Sequence, residues 1–164
     1  MDILNEDIIM EIILERKQST KALLLIEKIF NNKFDKANKP YINHLKRVAS
    51  SFQDEERYTI SLLHDTLEDT SITYNDLLNL GFKEKYLDCL VLLTKNNNTS
   101  YEDYIDRIIT SNDSSAMDVK LADLKDNMNE DRLNLLNTDE ARRLLNKYTL
   151  AYNKIIKRRD ELKW

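Results

Sequence analysis

Glycine and proline are nearly absent from this chain: one of each in 164 residues, Gly81 and Pro40. Sheets joined by tight hairpins consume both residue types. The scarcity therefore argues against a β-rich architecture and for helices joined by short polar loops. Cysteine is equally scarce. A single Cys89 cannot form an internal disulfide framework, which fits a reducing compartment. It falls in the apolar run Tyr86-Leu87-Asp88-Cys89-Leu90-Val91-Leu92-Leu93, where a small buried side chain is expected rather than a nucleophile. No apolar run approaches the length of a transmembrane span. The start, Met1-Asp2-Ile3-Leu4-Asn5-Glu6-Asp7, is acidic and lacks the basic segment of a secretory leader. The expectation is a cytoplasmic protein that does not engage a membrane.

What is present suits a soluble globular protein: 41% apolar and 33% charged residues, enough for one core and a single domain over residues 1–164. The net charge of −4 is uneven. From Ala141 to Trp164 eight Lys/Arg stand against two acids, a surplus of six that leaves about −10 for the first 140 residues. Cations near the end of a last helix suit its own dipole. Nucleic acid is not an expected partner, because the overall charge repels phosphate backbones.

Helical periodicity dominates. Ile8-Ile9 and Ile12-Ile13 form a first apolar stretch, and Ser19 or Thr20 is placed to cap a second helix carrying Leu23, Ile26 and Phe30. Residues Asn31 to Pro40 read as a basic loop, followed by a helix with His44. Asp54-Glu55-Glu56 opens the next helix, which is expected to run into a cluster at His64. Thr73 is a plausible N-cap for Tyr74 to Leu80 and Gly81 a C-cap. Helices near Lys83–Thr94, Ser100–Thr110 and Ser115–Asn129 follow, and Asp139 begins a long last helix. The expected class is an all-α bundle.

The chemistry-bearing segment is His64-Asp65-Thr66-Leu67-Glu68-Asp69-Thr70. The chain has only two histidines, and the other, His44, lies 20 residues upstream. If the segment is one helix, His64 and Glu68, and Asp65 and Asp69, are i,i+4 pairs over one broad polar surface. Carboxylates crowded so closely repel one another, and a bound cation relieves the repulsion. Farther on, Lys120, Asp123 and Asn127 share one helix face, while Leu121, Leu124 and Met128 share another. A carboxylate in so apolar a helix needs a partner. The only two histidines, the acids adjacent to His64 and the remote Asp123 together point to a metal site.

These segments resemble the HD-domain phosphohydrolases, in particular the hydrolase domain of RelA/SpoT-type alarmone enzymes. The resemblance rests on Pro40-Tyr41-Ile42-Asn43-His44, Leu62-Leu63-His64-Asp65-Thr66-Leu67-Glu68-Asp69-Thr70, Val119-Lys120-Leu121-Ala122-Asp123 with Asp126-Asn127-Met128, and Ser100-Tyr101-Glu102-Asp103-Tyr104-Ile105. It implies an all-α HD-type bundle and one divalent metal ion, usually manganese, held by His44, His64, Asp65 and Asp123. It also implies a catalytic pair at Glu68 and Asp69. Binuclear members recruit further histidines, which this chain lacks. The chain departs from the family before and beside the first histidine: Phe30-Asn31-Asn32-Lys33 replaces a His and a Gly-Gln step, Asn38 a Gly, and Leu45 a Pro.

A divalent cation acidifies water and neutralises a phosphoryl oxygen. Glu68 and Asp69, a turn beyond the ligands, are placed to orient or deprotonate that water or to manage the leaving group's proton. Asn127, Lys33, Lys36, Arg47, Tyr148 and Arg143 are candidate contacts to a small-molecule nucleotide. The function these readings favour is (p)ppGpp 3′-pyrophosphohydrolase. Two alternatives stand beside it: hydrolysis of another nucleotide phosphate ester, and a non-catalytic nucleotide-binding HD module. The oligomeric state is left open.

Overall fold

The computed structural model describes residues 4–35, 38–129, 133–134 and 138–164. Among these the β structure is one isolated antiparallel bridge, Phe34 with Pro40. Everything else regular is helix: α1 Glu6–Leu14, α2 Gln18–Ile29, α3 Tyr41–Ala49, α4 Glu55–Leu63, α5 Thr66–Asp69, α6 Tyr74–Asn79, α7 Glu84–Leu93, α8 Tyr101–Ser111, α9 Ser114–Asn127 and α10 Thr138–Leu162. None of these helices is long and apolar enough to cross a membrane.

Short polar side chains start the helices. Asn5, Asp54, Ser100 and Asp113 each accept an N–H from the residue three positions on, which satisfies a donor that the first turn leaves open. Thr73 and Asp76 form a reciprocal capping box at α6. The expected cap at Ser19 or Thr20 is corrected. α2 begins at Gln18 after Lys17, and Ser19 gives both its N–H (2.8 Å) and its hydroxyl (3.0 Å) to Glu55. The serine thus ties α2 to the start of α4 instead of capping its own helix.

With one glycine available, asparagine takes most of the left-handed positions among the described residues, and Lys163 takes another at φ 58. Gly81 closes α6 at φ +82, as expected, while Asn32, Asn38 and Asn112 adopt φ of 62, 55 and 54. Asparagine tolerates this region better than most residues, so Asn38 holds a conformation that glycine favours.

α4 is the central element and packs against α2, α3, α7 and α9. Its second half, Thr59 to Leu63, is buried on every side, as expected of a helix enclosed by others. α9 packs against α3, α4, α7, α8 and α10. Apolar side chains from α1 through α10 share one core cluster, with Cys89 inside it. The functional consequence is that the middle of α3, the end of α4 and the last turns of α9 meet.

Candidate metal centre

The helix expected to run through the His64 cluster breaks there. α4 ends at Leu63, Asp65 takes φ −100 and ψ 1, and Thr66 to Asp69 form a separate single turn. His64 is drawn back by its own ring, whose Nδ1 lies 2.7 Å from the Ser61 carbonyl. Asp65 is held by the Tyr41 phenol, which donates to its Oδ2 at 2.6 Å. The four ionisable groups therefore do not share one helix face. His64 and Asp65 turn inward at the break, while Glu68 and Asp69 continue along the wall of the same cavity.

Two imidazoles meet two carboxylates at the break, with Asp123 approaching both rings from outside the compact trio of His44, His64 and Asp65. His44 Nε2 lies 3.7 Å from Asp65 Oδ2 and 3.3 Å from Asp123 Oδ1. His64 Nε2 lies 3.1 Å and 3.6 Å from the same two oxygens. The donor atoms of His44, His64 and Asp65 all fall within 4.8 Å of one another. His64 Nε2 is buried with no hydrogen-bond partner. An orphaned imidazole nitrogen beside carboxylate oxygens, with a second imidazole opposite, is a donor set that suits a divalent ion. The residues present fit one such ion.

Around these atoms lies a second layer that only partly matches the sequence reading. His44 Nδ1 lies 2.7 Å from Asp126 Oδ2, and Arg47 grips Asp126 with Nε (2.7 Å) and a terminal nitrogen (3.0 Å). Lys120 donates to Asp123 Oδ2 at 2.7 Å, and Asn127 donates to Asp123 Oδ1. Tyr41, Lys120 and Asp126 were not among the expected site residues. The i,i+3 spacings Tyr41–His44 and Lys120–Asp123 were the available signals; nothing local marks Asp126 as a partner of a histidine 82 residues earlier.

Burial favours neutral imidazoles, yet the facing carboxylates prevail: His44 is raised above the ordinary histidine value and His64 well above it. Burial likewise opposes charge on the acids. His64 keeps Asp65 low, Lys120 keeps Asp123 well below the carboxylate range, and His44 with Arg47 do the same for Asp126. Glu68 moves the other way. Partial burial raises it, the Lys95 N–H opposes, and the nearby Asp65 adds to the rise.

The centre opens into a cavity of about 420 Å³, within the range of small-molecule sites. Glu68, Asp69, Asn127 and Tyr148 line it with His44, Asp65 and Asp123, and Lys95, Lys120 and Lys147 add cations. The remaining candidates are placed elsewhere. Lys33 rests over the Phe30 and Tyr41 rings and donates to the Asp69 carbonyl at 2.6 Å. Arg47 stands behind His44 on Asp126. Arg143 lines a separate groove on α10. Lys36 lies outside the described residues.

No family model and no curated protein sequence matches the chain. Among solved structures, the chain is similar to one described as a metazoan ortholog of SpoT that hydrolyzes ppGpp and plays a role in starvation responses. The TM-score is 0.66 at 19% identity, over 88% of this chain and 97% of that one. The chain has the HD-domain fold. The all-α class and the HD-type bundle expected from the sequence are both present. In this HD fold His44, Asp65 and Asp123 line the cavity where α3, α4 and α9 meet, with His64 beside them.

Proposed function

We propose that this chain is a single-domain, metal-dependent phosphohydrolase that acts on a small-molecule nucleotide in the cytoplasm. Within that class we assign it to (p)ppGpp 3′-pyrophosphohydrolases. The observation that carries the reading is the convergence of His44 Nε2, His64 Nε2, Asp65 Oδ2 and Asp123 Oδ1, with contacts of 3.1–3.7 Å, on a cavity that also presents Glu68 and Asp69. The likeness to a ppGpp-hydrolysing protein supports the substrate class at the level of fold.

A divalent cation held by these four side chains, manganese in this proposal, supplies Lewis acidity toward a phosphoryl oxygen and the attacking water. The protein's part is orientation and proton management. Glu68, raised by its surroundings and fixed by the Lys95 N–H at 2.8 Å, accepts the proton of that water. Water oxygen bonds to the phosphorus attached to the ribose 3′-oxygen, and that P–O bond breaks. The 3′-oxygen takes up a proton, managed from Asp69, and GDP or GTP leaves with pyrophosphate. Lys95, Lys120 and Lys147 offset phosphate charge in a cavity that is otherwise rich in acids.

A panel of nucleotides that includes ppGpp, assayed with manganese and after chelation beside Asp65→Ala, tests the proposal. It expects release of pyrophosphate from ppGpp that chelation and the variant both abolish. Metal-independent turnover, or an unimpaired Asp65→Ala, would overturn the phosphohydrolase reading. Turnover of another nucleotide alone would move the substrate assignment, and no turnover of any would favour a binding module.

A further inference from the structure

His44 and His64 are held by different partners. Behind His64 stands a backbone carbonyl, that of Ser61. Behind His44 stands a carboxylate, Asp126, side-chain exposure 10%, reached by the guanidinium of Arg47, side-chain exposure 45%. A carboxylate only accepts hydrogen bonds, so Asp126 requires the proton of a neutral His44 to sit on Nδ1. That leaves the Nε2 lone pair directed at Asp65 and Asp123. The guanidinium accounts for both carboxylate oxygens: Nε meets Oδ1 at 2.7 Å and a terminal nitrogen meets Oδ2 at 3.0 Å. Oδ2 therefore accepts from Arg47 and His44 at once, and the carboxylate's rotation is fixed by the bidentate grip.

Resting on the reading of this site as a metal centre, we infer that Asp126 and Arg47 form a positioning pair that sets the tautomer and orientation of His44 for metal binding. Arg47 acts through Asp126 and does not contact the phosphates. An amide at position 126 cannot replace the acid. Whichever oxygen its NH2 replaces, that NH2 faces a donor from Arg47, and at the Oδ2 position it also faces His44. There it favours the imidazole tautomer whose Nε2 carries the proton and cannot ligate.

The test is calorimetric titration of chelator-stripped protein with manganese chloride, with no substrate present. Outer partners of metal-binding histidines typically matter by about 10- to 100-fold in affinity. Asp126→Asn is expected to weaken manganese binding by that order, and Arg47→Ala by less. The double variant should be no weaker than Asp126→Asn alone, because Arg47 has no route to the metal except through Asp126. At saturating cobalt, the visible absorption of Asp126→Asn should also differ from that of the unaltered protein, a change that a merely structural role does not produce. Circular dichroism of the stripped variants checks folding, and if Asp126→Asn does not fold, the half-exposed Arg47→Ala carries the test. Unchanged manganese affinity in the variants, with a raised KM for Arg47→Ala, overturns this inference and returns Arg47 to the substrate. Failure of the unaltered protein to bind manganese instead overturns the metal-centre reading itself.

Discussion

Tyr41, the first residue of α3, donates its phenol to Oδ2 of Asp65 at 2.6 Å, so a carboxylate of the candidate metal centre is anchored by the helix that carries His44. Replacing Tyr41 by Phe removes that bond while keeping the stack on Phe30, whose ring lies 5.4 Å away at 15°. Hydrogen bonds to charged groups contribute about 1.5–3 kcal/mol. Urea denaturation with chelator present should show Tyr41→Phe less stable by roughly that amount. An unshifted midpoint would show that the phenol does not anchor Asp65.

The metal-free protein should lose stability on the alkaline side of neutrality. His44 and His64 are raised in the fold by their carboxylates, so the folded state holds their protons more tightly than the unfolded chain does. That contribution is complete below the ordinary histidine value of about 6.5 and is lost as pH climbs through the raised values. On the acid side the lowered Asp123 and Asp126 contribute stability above the ordinary Asp value, and it is lost as pH falls through their depressed values. Melting temperatures of chelated protein should form a plateau that declines at both ends. Saturating metal should remove the alkaline decline, because the ion replaces protons that the imidazoles must surrender. A chelated protein whose melting point rises steadily from pH 6.5 to 9 would contradict this.

The residues proposed as ligands stand out in the sequence because scarcity isolates them. A chain with two histidines leaves little choice, and the remote Asp123 was flagged by an apolar helix that could not leave a carboxylate unpartnered. The all-α class followed from the same logic applied to glycine and proline. What was not legible is the break after Leu63. Local periodicity continues a helix through His64, whereas the contacts made at the break, Tyr41 of another helix to Asp65 and the His64 ring to Ser61, depend on the folded structure. Asp126 was hidden for a similar reason, since its partner His44 is 82 residues away. Arg47 looked like an exposed cation free to meet phosphate, and nothing in its own segment shows that Asp126 occupies the Nε edge of its guanidinium.

Glu68→Gln separates chemistry from metal binding. Glu68 faces the cavity but is not among the convergent atoms, and its Oε2 accepts the Lys95 N–H. An amide keeps the shape and removes the base. General acid–base groups contribute about 10²- to 10⁴-fold in rate, so turnover should fall within that range while manganese affinity is unchanged. Because Glu68 is raised, the acid limb of the rate profile in the unaltered protein should lie above the ordinary glutamate value, and it should vanish in the variant. Full activity in Glu68→Gln would remove this residue from the mechanism.

Lys21 is buried, 4% exposed, and makes its hydrogen bonds to backbone rather than to an acid: Nζ donates to the Leu80 carbonyl at 2.7 Å and to the Ile13 carbonyl at 3.2 Å. It therefore ties α2 to the last carbonyls of α1 and α6, groups that helix ends leave without internal partners. Gln18 reinforces the tie by donating to Gly81 O and accepting from Lys83 N–H. Methionine matches the length of Lys21 without its donors, leaving buried carbonyls unpaired at a cost of about 1–3 kcal/mol. Lys21→Met should lower the denaturation midpoint accordingly, with manganese affinity unaltered, since the tie lies outside the elements that meet at the metal centre. A variant as stable as the unaltered protein would mean that these carbonyls find water instead, and that the junction of α1, α2 and α6 holds without the lysine.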